Sequence, residues 1–411
     1  MSTVATKGDG HIGRINTPET ERELTAIKTF NRPSAYVHLD YGRNPDTWAK
    51  AYQKGIVLEE QPYGYHWAQT WVNLNYSADA PEPKAVTLLR RGLKFLFGFD
   101  LIHAFRNRRC ADSADVIWTH TEGEYLADAL LMKLHLMKRI PLVGQSVWLW
   151  DKWPKWSPLR KRFHHWLLEE VTVATTHSAL NSKLGTEVLG RSVIKVPFGI
   201  EPTFEVPVSQ PRADGRLRVV APGNDRHRDW DTLKKVARDN PDIEIVVLSK
   251  RRRASRLVSA DVPNFVVRSA VGIKDLIAAY TDADVVAVPL LGNLHASGIT
   301  VAMESINAGR PVVLTRTGGI EDYFGGTAHY VEPGDTIGLA TAIRAAAVVG
   351  RDRDLQIARR SHLTNAGLMI KDFGLRHVLL TRLALGISTP EEDIAISCFA
   401  PVVLEHWHYH E

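Results

Sequence analysis

Short apolar runs alternate with helical stretches along most of this chain, and the alternation occurs in two series. Residues 35–39 form a β-branched and aromatic run that ends at Asp40-Tyr41-Gly42 and predicts a first strand. Runs at Val116–Thr119, 141–143, 171–174 and 193–196 predict further strands, and a Leu- and Ala-rich helix is expected over about 124–137. A second series begins with a strand at 217–221 and a helix at Trp230–Asp239. Strands at Ile243–Leu248, 265–267, 285–289 and Val312–Thr315 follow, with a helix at 274–280. Strands alternating with helices argue for βαβ units and parallel sheets. Residues 199–216 are rich in Pro, Gly and polar side chains and read as the connection between the series.

The densest chemistry lies in the second series. His295-Ala296-Ser297-Gly298 leads into Ile299-Thr300-Val301-Ala302-Met303-Glu304, and Gly309-Arg310-Pro311 opens the next strand. A Ser-Gly turn at a helix start leaves backbone N–H groups free at the positive end of the helix dipole, which suits a phosphate. Glu304 falls about two turns along that helix, within reach of sugar hydroxyls. A carboxylate on an otherwise apolar helix face with Val301 and Ile306 is unusual for a merely solvated position.

A length of 411 residues implies two domains. The expected limits are a weakly ordered segment at 1–30, a first domain at 31–204, a linker at 205–216 and a second domain at 217–375. A C-terminal helix and tail over 376–411 would pack back toward the first domain. The first thirty residues lack an apolar signal core, and no run of 18 uncharged apolar residues appears. Cys110 and Cys398, the two cysteines, make neither a disulfide framework nor a zinc site. The expected location is cytoplasmic. The net charge of +5 is unevenly spread. Residues 84–109 carry seven Lys or Arg against Asp100 alone, and residues 148–166 hold five tryptophans among Lys152, Lys155, Arg160, Lys161 and Arg162. Leu89, Leu93, Leu96 and Phe97 lie near helical spacing. Together these predict a protein peripheral on the inner face of the cell membrane, held by anionic lipid.

Several motifs in order resemble retaining glycosyltransferases of family 4, over roughly residues 115–380. They are Asp115-Val116-Ile117-Trp118-Thr119-His120, Val196-Pro197-Phe198-Gly199-Ile200-Glu201, Ala283-Asp284-Val285-Val286-Ala287-Val288-Pro289, the 295–304 stretch, and Pro311–Thr315 with Gly318-Gly319 and Glu321. The resemblance implies an α/β protein of GT-B fold, two Rossmann-like doubly wound domains with a cleft between them. Ligands would sit at the carboxyl ends of the strands. It also implies a nucleotide-sugar donor, retention of anomeric configuration, and no metal or other cofactor. Transfer would go to a lipid-linked or polysaccharide acceptor in cell-surface or exopolysaccharide synthesis.

Carried over residue by residue, the resemblance makes Ser297, Gly298, Ile299, Thr300 and Glu304 donor-binding, with Glu304 on the ribose. Arg228 fits the family's usual Lys position, and Arg226 is the candidate for its missing arginine. His120 would contact the transferred sugar. The chain departs from the pattern at Ala296, where the family often has glutamate, and at the first loop. There Asp40-Tyr41-Gly42-Arg43-Asn44 replaces a glycine-rich turn, making Gly42 and Arg43 the acceptor-binding candidates. Glu122 and Glu124 are candidate acids beside His120. Asp151 is the alternative base, required if the enzyme inverts. Two other readings stay open at this stage. A nucleotide-sugar epimerase shares the fold, and a non-catalytic polyanion or nucleic-acid binder would explain the basic balance, although nucleic acid is not the favoured partner.

Overall fold

The computed structural model describes residues 32–202 and 204–387. The segment expected to be weakly ordered at 1–30, the tail beyond 387 and Cys398 lie outside the described residues. Two six-stranded, all-parallel sheets organise the chain. The first contains β1 (Ser34–His38), β2 (Asn73–Tyr76), β3 (Val116–Thr119), β4 (Leu142–Ser146), β5 (Val173–Thr176) and β6 (Val193–Lys195), in the order β2-β1-β3-β4-β5-β6. The second contains β7 (Leu217–Pro222), β8 (Ile243–Leu248), β9 (Phe265–Arg268), β10 (Val285–Val288), β11 (Val312–Thr315) and β12 (His329–Val331), in the order β12-β11-β10-β7-β8-β9.

The apolar runs are continuous because helices cover both faces of each sheet. Val219, Ala221, Val285, Ala287 and Val313 point into one cluster, while Val286, Val288, Val312 and Leu314 point into another. The strand order reverses between β1 and β3 and again between β7 and β10. Loops leaving the carboxyl ends of these strands splay apart there and leave a crevice. The loops in question carry Asp40–Arg43, His120, Asp225–Arg228 and the 289–298 stretch.

The expected 124–137 helix runs instead over Glu122–Lys133 and starts earlier because Thr121 and Glu124 form a capping box. A helix at Ile370–Leu385 crosses back onto the first sheet. Ile370, Phe373, Leu379 and Leu380 join Val37, Trp118 and Val143 in one cluster, and Trp118 Nε1 donates to Thr381 Oγ1 at 2.8 Å.

The tryptophan-rich segment requires a correction. Trp150 is fully buried and Trp153 is 8% exposed, packed with Leu149, Leu167 and Leu168. These rings serve the core and are not free to anchor at a lipid surface. Lys152 is paired with Glu122 at 2.9 Å. The basic stretch is also partly neutralised, with Arg90 bound to Glu82 and Asp100, and Lys94 to Asp40. Trp148, Leu159 and Trp166 stay exposed, and so does the helix Lys84–Phe97 at Leu88, Leu89, Phe95 and Leu96, with Phe95 at 92%. Among the described residues no helix is long and apolar enough to cross a membrane.

Candidate active site

A cavity of about 350 Å³ lies between the two sheets, where both sets of crevice loops meet. The first half contributes Asp40, Arg43, Tyr63, His120 and Glu124, and the second contributes Asp225, His295, Ser297, Gly298, Ile299 and Thr300. Gly298 begins the helix Ile299–Ala308 in a left-handed conformation and no side chain caps that end. The Ser297 hydroxyl is used elsewhere, donating to Asp225 Oδ2 at 2.7 Å. Asn293 Oδ1 accepts from Ser297 N–H at 3.2 Å and fixes the turn. Gly298, Ile299 and Thr300 line the cavity, so the start of this helix borders it.

Arg228 sits behind this turn, 3% exposed, with Nε and Nη1 lacking hydrogen-bond partners among the described residues. Burial lowers the guanidinium to about 10, against the pull of Asp225, Tyr280 and Glu304. It remains a cation at neutral pH. Tyr280 Oη donates to Glu304 Oε2 at 3.4 Å. Burial raises the Glu304 carboxyl to about 7. Glu59, from the first half, also pushes it upward. That half reaches across here, since Gly55 O accepts from Ile273 N–H at 2.9 Å.

His120 ends β3 as expected. Its Nδ1 pairs with Tyr65 Oη at 3.1 Å, and Tyr63 stacks on its ring at 3.5 Å. Tyr63 and Gly64 both have positive φ, which turns the Tyr63 ring into the cavity. Burial, with help from His177 and His377, lowers the His120 ring well below its usual value, so it is neutral. Burial likewise raises Glu124 to about 7, over the opposing effect of its Thr121 hydrogen bonds.

Of the predicted residues, Arg228 and Glu304 do not line this cavity, and four more lie elsewhere. Glu122 does not line this cavity. Its carboxylate accepts from the Val147 and Trp148 N–H groups at 3.1 Å and from Lys152, so it anchors the turn before residue 149. Arg226 is exposed and lines a separate outer cavity with Lys155 and Trp156. Gly42 donates its N–H to Asp79 Oδ1 and leaves the lining to Arg43. Asp151 does not line the cavity, and each of its oxygens is engaged by a neighbour. Oδ1 accepts from Leu294 N–H at 2.7 Å and Oδ2 from His295 Nδ1 at 2.9 Å. It joins the two halves rather than serving as a base.

Reading the sequence did not single out Tyr63, Asp225 or His295 as site residues. His295 lies between Asp151 and Asp225, with Nε2 3.6 Å from Asp225 Oδ2. Burial opposes its charge, but the hydrogen bonds and charges of the two carboxylates raise the ring to about 9. A raised cation stabilises the fold fully below its unfolded value of 6.5 and loses that contribution as pH rises through about 9. The melting temperature of wild type should therefore exceed that of Asp151→Asn at pH 7, and the gap should narrow by pH 10. A constant gap would show that the contact is not ionic. Asp225, His227 and His295 also bring ligand atoms within 4.8 Å of one another. Asp151 and Asp225 favour the charged form of the His295 ring, and the Arg228 charge lies close by.

Residues 228–347 match the family model described as glycosyl transferases group 1. No curated protein matches the chain. Among solved structures it is similar to sucrose-phosphate synthase from Thermosynechococcus elongatus, at 17% identity and TM-score 0.62, over 86% of this chain and 100% of that one. It is also similar to Anabaena HepE in complex with UDP and glucose, at 13% identity and TM-score 0.59, over 84% and 99%. A glycosyltransferase from Rickettsia africae aligns at 13% identity and TM-score 0.55, over 87% and 100%. The two parallel sheets with their helices form the GT-B architecture of two Rossmann-like halves. With its group 1 domain, the chain is a glycosyltransferase.

Proposed function

We propose that this enzyme transfers a sugar from a nucleotide-sugar to a lipid-linked or polysaccharide acceptor. The observation that carries the proposal is the uncapped Gly298 helix start with the buried, unpartnered Arg228 behind it. Charge grows on the diphosphate as the bond to the sugar breaks, and fixed donors and cations stabilise it there. Glu304 would hold the ribose two turns along the same helix. Ser297, Gly298, Ile299 and Thr300 would line the diphosphate. His120 would face the transferred sugar, with Arg43 on the acceptor side. The HepE structures in complex with UDP or UDP-glucose support a uridine or similar donor. The order of family 4-like motifs supports retention, and the place of Asp151 outside the cavity lining, tied to Leu294 and His295, speaks against it as the base for inversion.

The reaction is proposed to be metal-independent, since Arg228 and the helix N-terminus supply the positive charge. Incubation with UDP- and GDP-sugars should release nucleoside diphosphate, and EDTA should leave the rate unchanged. Loss of activity in EDTA, restored by a divalent cation, would overturn the metal-free account.

Membrane contact is retained in narrower form. The outward Leu88, Leu89, Phe95 and Leu96 share their helix with exposed Arg91, and exposed Arg109 lies on the next helix. Each cation near an anionic surface contributes about 1 kcal/mol. The chain should sediment with anionic vesicles at low salt and less so at high salt. Phe95→Ser with Leu96→Ser should release it while nucleotide binding persists. Equal pelleting of both proteins would remove this helix from any membrane role.

A further inference from the structure

Asp225 and His295 bring a hydrogen-bond acceptor and a hydrogen-bond donor into the central cavity, and the diphosphate and ribose contacts proposed above use neither. His295 is 5% exposed, and its Nε2 has no hydrogen-bond partner among the described residues. Its Nδ1 is held by Asp151, whose other oxygen holds the Leu294 N–H, so the ring is clamped with Nε2 toward Asp225 and the cavity; flanked by these two carboxylates it is charged at neutral pH and carries a hydrogen on Nε2. Asp225 Oδ1 accepts from His227 N–H at 2.7 Å and Oδ2 from Ser297 Oγ. Oδ1 also pairs with His227 Nδ1 at 3.2 Å, while Oδ2 retains a further lone pair. The separation of Nε2 and Oδ2, 3.6 Å, is too long for a direct hydrogen bond.

The ligand that fits this pair must both accept and donate. A hydroxyl does so. A phosphate oxygen only accepts, and it would place negative charge against Asp225. A metal ion would need a lone pair on Nε2, where the clamped ring carries a hydrogen. We infer that Asp225 and His295 together hold one hydroxyl of the transferred sugar and so help select which sugar the enzyme accepts, with Asp151 as the positioning residue. This rests on the nucleotide-sugar reading, and it assigns to the sugar a pair of residues that the motif pattern did not single out.

The test is calorimetric titration of wild type, His295→Gln and Asp225→Asn with UDP, UDP-glucose, GDP and GDP-mannose, followed by deoxy-sugar analogues of whichever donor binds. Losing a hydrogen bond to a charged group should weaken nucleotide-sugar binding by about tenfold or more in each variant, while the nucleoside diphosphate changes by no more than about twofold. Wild type should reject one deoxy analogue, and the variants should no longer distinguish it from the full sugar. The deoxy series on wild type needs no variant to fold. Equal losses for diphosphate and nucleotide-sugar would overturn the inference, as would a wild type indifferent to every deoxy position. Zinc binding that requires His295 would reassign the pair to a metal. A wild type that binds no nucleoside diphosphate would instead remove the donor reading itself, and this inference with it.

Discussion

Arg228→Ala is expected to lower sugar-transfer turnover by about 10²- to 10³-fold, the usual cost of removing one fixed charge-stabilising contact. The side chain is 3% exposed, yet two of its nitrogens bond to nothing among the described residues. A buried cation left this way is costly to the fold unless an anion completes it. Its removal should therefore leave the melting temperature unchanged or slightly higher. Arg228→Lys keeps a charge but loses the planar donor pair, so it should recover only part of the rate. Rates come from nucleoside diphosphate release, and thermal melting gives the stability control. Near-wild-type turnover in Arg228→Ala would return this residue to a structural role.

Gly298→Ala should be a strongly damaging single-methyl change in the active-site loops. The residue has φ +85°, a conformation that costs an L side chain roughly 1–2 kcal/mol. A Cβ there would stand 2.6 Å from Arg228 Nη1 and 2.6 Å from Val288 Cγ1. Val288 and the Arg228 guanidinium are both buried and have little room to shift, and overpacking adds about 1–3 kcal/mol. The variant should melt several degrees lower and lose nucleotide binding, because the turn that presents the helix N-terminus shifts. Gly292→Ala is the control, since a Cβ there meets nothing within 4 Å. Indistinguishable behaviour of the two variants would refute this account of the turn.

Much of the second sheet was legible in the sequence because its strands are apolar on both faces. Ile243–Leu248 and Val312–Thr315 fall at their expected positions, as does the helix Trp230–Asp239. β2 escaped because Asn73-Leu74-Asn75-Tyr76 is a short edge strand with polar residues at alternate positions. β12 is a three-residue edge strand with a similarly weak signal. The phosphate-facing turn was legible because its chemistry is local, a Ser-Gly pair followed at once by a helix. The Asp151–His295 clamp was not, since its partners lie 144 residues apart. A tryptophan beside lysine looks the same in sequence whether the ring faces lipid or core. Only packing against Leu149 and Leu167 separates Trp150 and Trp153 from a surface belt.

The central claim is that the Gly298 helix start and Glu304 hold a nucleoside diphosphate. Titrating UDP and GDP into wild type and Glu304→Ala, with binding followed by calorimetry and melting temperature, tests it most directly. The account predicts that at least one nucleotide binds wild type and raises its melting temperature, since a ligand that binds only the folded state stabilises it. It predicts weaker binding to a Glu304→Ala protein that is still folded. No binding of either nucleotide to wild type at millimolar concentration, or equal binding to both proteins, would contradict it.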